Sequence, residues 1–376
     1  MPPQRRRWLL GAALSLPGWP VLAPAATPDA DPADDNHEVR QGRALVFPRD
    51  HGAHLGARTE WWYATGWLGD VATGAPSHGF QVTFFRSATG LAAGNPSRFA
   101  ARQLLFAHAA VTVLEGGRHL HDQRIARWSG AADAVLGAAS VTDGDVRLGR
   151  WQLRREGQGW QASVPAQGFS LTLSLQSTQA LLLQGDAGFS RKGPLPQQAS
   201  HYYSQPHLAV QARLATGGAP TALAGRAWLD HEWSQEILHP DAVGWDWIGI
   251  NLADGSALTA FVLRRADGSA LWGAGSWRAA GTDTPTAFGP SEVLFRPVRR
   301  WRSPATGADY PVQWDIVTPM GRHAVRALLD AQELDSRAST GTVYWEGLSE
   351  MLDEGGRRVG LGYLEMTGYA ARLRLG

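Results

Sequence analysis

RTEWWYATGWLGD, residues 58–70, sets Glu60 against Trp61, Trp62 and Tyr63 and then breaks on Gly69-Asp70. Successive side chains of a β-strand point to opposite faces, so Trp61 and Trp62 cannot enter the same core. A tryptophan stripe left in water would be an adhesive patch. The segment therefore predicts a strand covered on both sides, with its own sheet's interior on one face and a second β domain on the other.

The surrounding chain reads as strand after strand. HGFQVTFFR (78–86), LFAHAAVTV (105–113), DVRLGRWQLRREGQGWQASV (145–164) and FSLTLSLQS (169–177) are short runs bounded by glycine-rich turns, several with period-two alternation. Helix-period stretches are few, and the predicted class is all-β. Two pairs of segments repeat in the same order. EWWYATGWLGD followed by HGFQVTFFR is matched by GWDWIGINLADG followed by SALTAFVLR, each ending in an arginine, Arg86 or Arg264. GRAWLDHEW (225–233) is matched by LGYLEMTGY (361–369): a small residue, an aromatic, Leu, an acid and a closing aromatic. The repeats predict two related β domains packed side by side, residues 41–238 and 239–376.

The N-terminus, MPPQRRRWLLGAALSLPGWPVLAPAATPDA, carries a twin-arginine pattern at Arg5-Arg6-Arg7, an apolar stretch and an Ala23-Pro24-Ala25 cleavage site. It predicts an export signal over residues 1–26, a flexible acidic linker over 27–40, and a periplasmic or secreted protein. Removing residues 1–26 takes three arginines and no acid from a formal charge of +1, so the remainder is slightly acidic. No basic patch points to nucleic acid. The chain has no cysteine, which excludes disulfides, a thiol nucleophile and cysteine-based zinc sites. Its 17 tryptophans outnumber its 11 phenylalanines, which suggests aromatic surfaces beyond an ordinary core. Lys192 is the sole lysine, an imbalance that reads as coding bias rather than chemistry.

TEWWYATG, RAWLDHEWS, GWDWIGINLADGSALTAFVLR and the closing YWEGLSE and GLGYLEMTGY resemble the AttH and carotenoid hydratase (hydroxyneurosporene synthase) family, over most of the chain from His51 to Tyr369. The resemblance implies a pair of lipocalin-like β-barrel domains. It also implies secreted or membrane-peripheral proteins, some of which add water to a terminal double bond of acyclic carotenoids. Others act as isomerases or cyclases of polyene-type products. Many members carry only a hydrolase label, yet no G-x-S-x-G nucleophile elbow occurs here.

Alkene hydration needs an acid that protonates carbon, surroundings that tolerate a carbocation, and a base that delivers water. WLDHEWS supplies Asp230, His231 and Trp233 within four residues, with Asp230 and Glu232 on one strand face and His231 and Trp233 on the other. A carboxyl kept protonated by apolar surroundings can be the acid, and tryptophan faces can steady the cation. The structural alternative is an aspartate capping a turn and a histidine bridging two strands. Asp246 lies between Trp245 and Trp247, and Glu60 stands beside the tryptophan strand. A solvated strand position for Asp246, and an ion pair with Arg58 or Arg86 for Glu60, are the competing readings. HYYSQPH (201–207) offers Tyr203 as a polar contact or as an ordinary barrel-edge residue.

The candidate catalytic residues are thus Asp230, His231, Asp246 and Glu60. The candidate ligand-binding residues are Trp61, Trp62, Tyr63, Tyr203, Trp233, Trp245 and Trp247. HGAH (51–54) and HLH (119–121) lack the helical HExxH frame of zinc proteases, and neither a metal nor another cofactor is expected. The expected partner is a hydrophobic small molecule, a lipid or isoprenoid, with peripheral membrane contact compatible. Three readings stay open: hydration or isomerisation of a C=C bond, carriage of an apolar ligand in the cell envelope, and a purely structural envelope protein.

Overall fold

The computed structural model describes residues 39–373 apart from 92, 93, 96 and 98; the expected export signal and most of the expected acidic linker lie outside the described residues. Twenty-three strands, β1 to β23 in chain order, and no α-helix are found among those residues. They form a 13-stranded sheet and a 10-stranded sheet. The protein is all-β, two lipocalin-like lobes packed side by side.

The repeats fall on equivalent strands. In the first sheet, β2 (Ala75–Ala88), β1 (Thr59–Asp70), β13 (Thr221–Glu236) and β12 (Ala199–Ala215) lie in that order. In the second, β15 (Ala257–Arg264), β14 (Gly244–Leu252), β23 (Arg358–Met366) and β22 (Thr342–Leu352) lie in the same order. The first and last repeated segments of each lobe therefore pair with one another, β1 with β13 and β14 with β23, both antiparallel. Strand membership passes from one sheet to the other between Glu236 and Gly244.

Three apolar clusters follow from the alternation along these strands. Trp62, Ala64 and Leu68 of β1 join Phe80, Val82 and Leu173 inside the first lobe. Ile248, Ile250, Leu258 and Leu364 join Trp314 and Trp345 inside the second. Tyr63 and Trp67 meet Trp228, Trp247, Phe261, Leu348 and Tyr363 between the lobes, with Trp61 and Trp245 packed against them. The two faces of the tryptophan strand thus serve two different interiors. Their approach needs a missing side chain on β2: a Cβ at Gly79 would stand 2.7 Å from the Tyr363 hydroxyl and 2.9 Å from Leu348 Cβ.

Candidate active site between the lobes

Between the lobes lies a cavity of about 360 Å³, within the range of small-molecule sites. Its apolar wall includes Trp61, Phe85, Phe106, Trp245, Phe261 and Leu263. Its polar groups come from corresponding places in the two repeats. Asp230 on β13 sits opposite Tyr63 of β1 and Ser204 of β12. Glu365 on β23 sits opposite Trp247 of β14 and Glu346 of β22. Asp230 and Glu365 are equivalents, as are Tyr63 and Trp247, and Ser204 and Glu346.

Asp230 is held by donors on both oxygens: Tyr202 Oη at 2.8 Å, Ser204 Oγ at 2.5 Å and Trp228 Nε1 at 2.6 Å. The Trp247 indole N–H donates in turn to the Tyr202 hydroxyl at 3.2 Å. Burial nevertheless pushes the Asp230 carboxyl up to about 7, against those three donors and aided by the charge of Glu232. Burial likewise takes Glu365 up to about 8; the Trp245 indole offsets part of it, and Asp230, Glu232 and Asp246 add to it. Glu346 is raised well above the usual carboxylate range by burial and then by the facing Glu365, with the Tyr63 and Tyr344 hydroxyls acting the other way. The Tyr63 and Tyr344 hydroxyls are thus the polar neighbours of Glu346 within this wall.

Lys192, just beyond β11 (Phe189–Arg191), brings a cation to this wall. Its Nζ lies 2.8 Å from Glu232 Oε1. It also stands over the Tyr202 and Phe261 rings, 4.6 and 4.2 Å from their centroids. Ser200 donates to the same Glu232 oxygen. Glu232 therefore has a counter-charge, whereas among the described residues Asp230, Glu346 and Glu365 have no ion-pair partner within salt-bridge distance.

The structure divides the residues singled out from the sequence. Trp61, Tyr63, Asp230, Trp245 and Trp247 line the cavity. His231 and Trp233, next to Asp230 in sequence, point to the far side of β13, so the proposed Asp230–His231–Trp233 constellation does not form. There His231 Nε2 lies 3.0 Å from Glu60 Oε1, His54 Nδ1 lies 2.7 Å from the same oxygen, and Arg86 Nε donates to Glu60 Oε2 at 2.7 Å. His54 stacks on Trp233 with centroids 3.6 Å apart, and Trp62 stacks on His231 at 4.7 Å. Burial alone would raise the Glu60 pKa; Arg86 and hydrogen bonds from His231 and His54 outweigh it and hold Glu60 well below the usual range.

Glu60 borders the cavity but is the anion of this buried network, and its partner is Arg86, one of the two arginines considered. The ligand atoms of His54, Glu60 and His231 lie within 4.8 Å of one another, the one such trio among the described residues. Arg86 already balances the charge of Glu60 through the other oxygen, Oε2. Tyr203 also faces away, its hydroxyl 2.6 Å from His51 Nδ1; of these two neighbours it is Tyr202 that lines the cavity. Asp246 turns from the cavity to Arg264 Nε at 2.8 Å and the Tyr369 hydroxyl at 3.0 Å. The solvated Asp246 is not found, since the residue is 1% exposed. Trp62 belongs to the first lobe's interior.

Glu346, Glu365 and Lys192 escaped the sequence reading, and from HYYSQPH it chose Tyr203 rather than Tyr202 as the ligand contact. Glu365 had a signal: it is the acid that matches Asp230 in the second repeated pair. Lys192 had one too, as the single lysine, but its meaning depends on a fold that buries it beside Glu232.

Two lipocalin-like lobes closing on a shared, acid-bearing, tryptophan-lined cavity define the class of protein. The chain belongs to the AttH-like family, whose model matches residues 38–369. A crystal structure of an AttH protein from Nitrosomonas europaea is 45% identical, covers 88% of this chain and 99% of its own, and superposes with a TM-score of 0.79. Kievitone hydratase from Nectria haematococca is 14% identical over 87% of this chain and 94% of its own, with a TM-score of 0.64. CghA with Sch210972 is 13% identical over 85% of this chain and 89% of its own, with a TM-score of 0.50. At those two identities the likeness is one of fold. No curated protein matches the chain.

Proposed function

We propose that this protein is a cofactor-free enzyme that hydrates or isomerises a C=C bond in an apolar small molecule held between its lobes. The observation that carries the reading is the set of buried carboxyl groups, Asp230, Glu346 and Glu365, raised toward the neutral form beside the indoles of Trp61, Trp245 and Trp247. A neutral carboxylic acid in such a site can protonate an alkene carbon. The facing indoles attract the resulting cation by roughly 2 kcal/mol per desolvated contact. Capture of the cation by water gives an alcohol; loss of a proton from the neighbouring carbon gives a shifted double bond. The hydratase among the structures of like fold supports the reaction class. The apolar wall supports a lipid or isoprenoid ligand, and the twin-arginine segment supports export to the periplasm.

The test is incubation of the purified protein with lipid extract of its host in oxygen-18 water, followed by mass spectrometry. A labelled alcohol, or an isomer carrying solvent deuterium when the water is D₂O, is the expected result. A lipid retained unchanged in the cavity would instead make the protein a carrier.

A further inference from the structure

The two walls of the cavity differ at one decisive pair of equivalent positions. In the first lobe Asp230 faces Ser204, a hydroxyl that donates to it. In the second lobe Glu365 faces Glu346, an acid, across adjacent antiparallel strands. Side chains directly opposite on neighbouring strands stand about 5 Å apart at Cβ, and like charges there are destabilising. A carboxylate cannot hydrogen-bond to a carboxylate, so two acids so placed tolerate each other when one proton lies between them. Among the described residues no salt bridge reaches either acid, since Lys192 is engaged by Glu232. Glu346 is 2% exposed, and its polar neighbours are the Tyr63 and Tyr344 hydroxyls and the facing Glu365. Both acids line the cavity.

We infer that Glu346 and Glu365 act as one carboxylic acid–carboxylate pair, and that Glu346 is the group that exchanges a proton with the ligand. The assignment rests on the hydratase or isomerase reading and moves its acid from the first lobe to the second. Asp230, with both oxygens already engaged by Tyr202, Ser204 and Trp228, orders the opposite wall. In the forward step the Glu346 O–H bond breaks as a C–H bond forms at the alkene. The pair then carries two negative charges beside a carbocation, so the repulsion that kept one proton on the pair is relieved by the cation itself. Water adds at the cationic carbon, and its surplus proton returns to the pair. The pair ends as it began, and the net change is addition of H₂O across C=C. In isomerisation the returning proton comes from the adjacent carbon.

The Tyr63 and Tyr344 hydroxyls act on Glu346, and the Trp245 indole and the charges of Asp230, Glu232 and, behind the wall, Asp246 act on Glu365. Infrared titration of the protonated-carboxyl stretch, on wild type and on Glu346→Gln, separates a pair from two acids that are merely buried. Loss of the facing charge in Glu346→Gln is expected to lower the Glu365 midpoint by about one pH unit or more. A midpoint left in place overturns the pair. In the oxygen-18 assay Glu346→Gln is expected to lose at least about 100-fold in turnover while still retaining host lipid, and Glu346→Asp to recover part of it. Product formed by Glu346→Gln at the wild-type rate overturns the assignment of the acid and leaves the hydratase reading standing. A wild type that makes no product removes that reading, and the titration alone then decides the pair. Should Glu346→Gln not fold, Glu346→Asp and Glu365→Gln carry the same titration.

Discussion

Asp230 and Glu365 occupy the same place in two copies of one structural unit, yet their surroundings differ. The first accepts three hydrogen bonds from Tyr202, Ser204 and Trp228; the second faces another acid, Glu346. A repeated fold has been given two chemistries by changes at facing strand positions.

The pH dependence of stability follows from these carboxyls. Asp230 rises from 3.8 to about 7 on folding. Between those values the folded chain holds a proton that the unfolded chain has released. Its contribution is therefore complete below 3.8 and is lost as pH rises through about 7. Asp230→Asn removes this dependence. Urea unfolding of the variant should show a slope shallower than wild type by up to about 1.4 kcal/mol per pH unit in that interval. Equal slopes would show that Asp230 ionises as freely in the folded chain as in the unfolded one.

Glu60 acts with the opposite sign. Its pKa is held well below the ordinary glutamate value of 4.5, so its contribution is present above that value and disappears as pH falls through the folded pKa. Glu60→Gln leaves Arg86 buried without its counter-charge, at a cost of about 3–5 kcal/mol. Chemical denaturation at neutral pH measures it. A loss below about 1 kcal/mol would mean that the network reorganises around Arg86.

Neighbouring tryptophans should behave differently. Trp62 is 1% exposed and donates to the His51 carbonyl at 3.0 Å, so Trp62→Ala is expected to cost about 3–5 kcal/mol. Trp61, half-buried on the cavity wall, should cost less when replaced by Ala, and that variant should bind a fluorescent polyene fatty acid more weakly. Equal stability losses with unchanged binding would contradict the division of faces.

Gly79→Ala tests the approach of the lobes. The added methyl meets the Tyr363 hydroxyl and Leu348 Cβ inside normal contact, and such overpacking costs about 1–3 kcal/mol. The thermal midpoint should fall. An unchanged midpoint would show that the lobes separate slightly without penalty.

The strand faces and the repeat were legible because period-two alternation is local. Trp61 and Trp62 had to part, and Asp230 had to lie with Glu232 rather than with His231. What the local pattern could not tell was which face meets the cavity. Tyr202 and Tyr203 alternate like any strand pair, and only the packing of the second lobe decides that Tyr202 faces the ligand space. Asp246 reads as solvated until Arg264 and Tyr369 are seen to enclose it. Glu346 and Glu365 are ordinary strand acids until a sheet from the other end of the chain buries them. Lys192 follows a short strand that pairs locally with β12, and its meaning comes from Glu232 and Phe261, which only the fold brings to its Nζ.

That lysine gives the molecule its own reporter. A lysine-specific protease has a single bond to cut in the whole chain, between Lys192 and Gly193, and Lys192 is 5% exposed beside Glu232. Cleavage must wait for this wall of the cavity to come away locally. The rate at which two fragments appear therefore counts openings of the ligand chamber, and a molecule that fills the chamber and holds it shut will announce itself by slowing the cut.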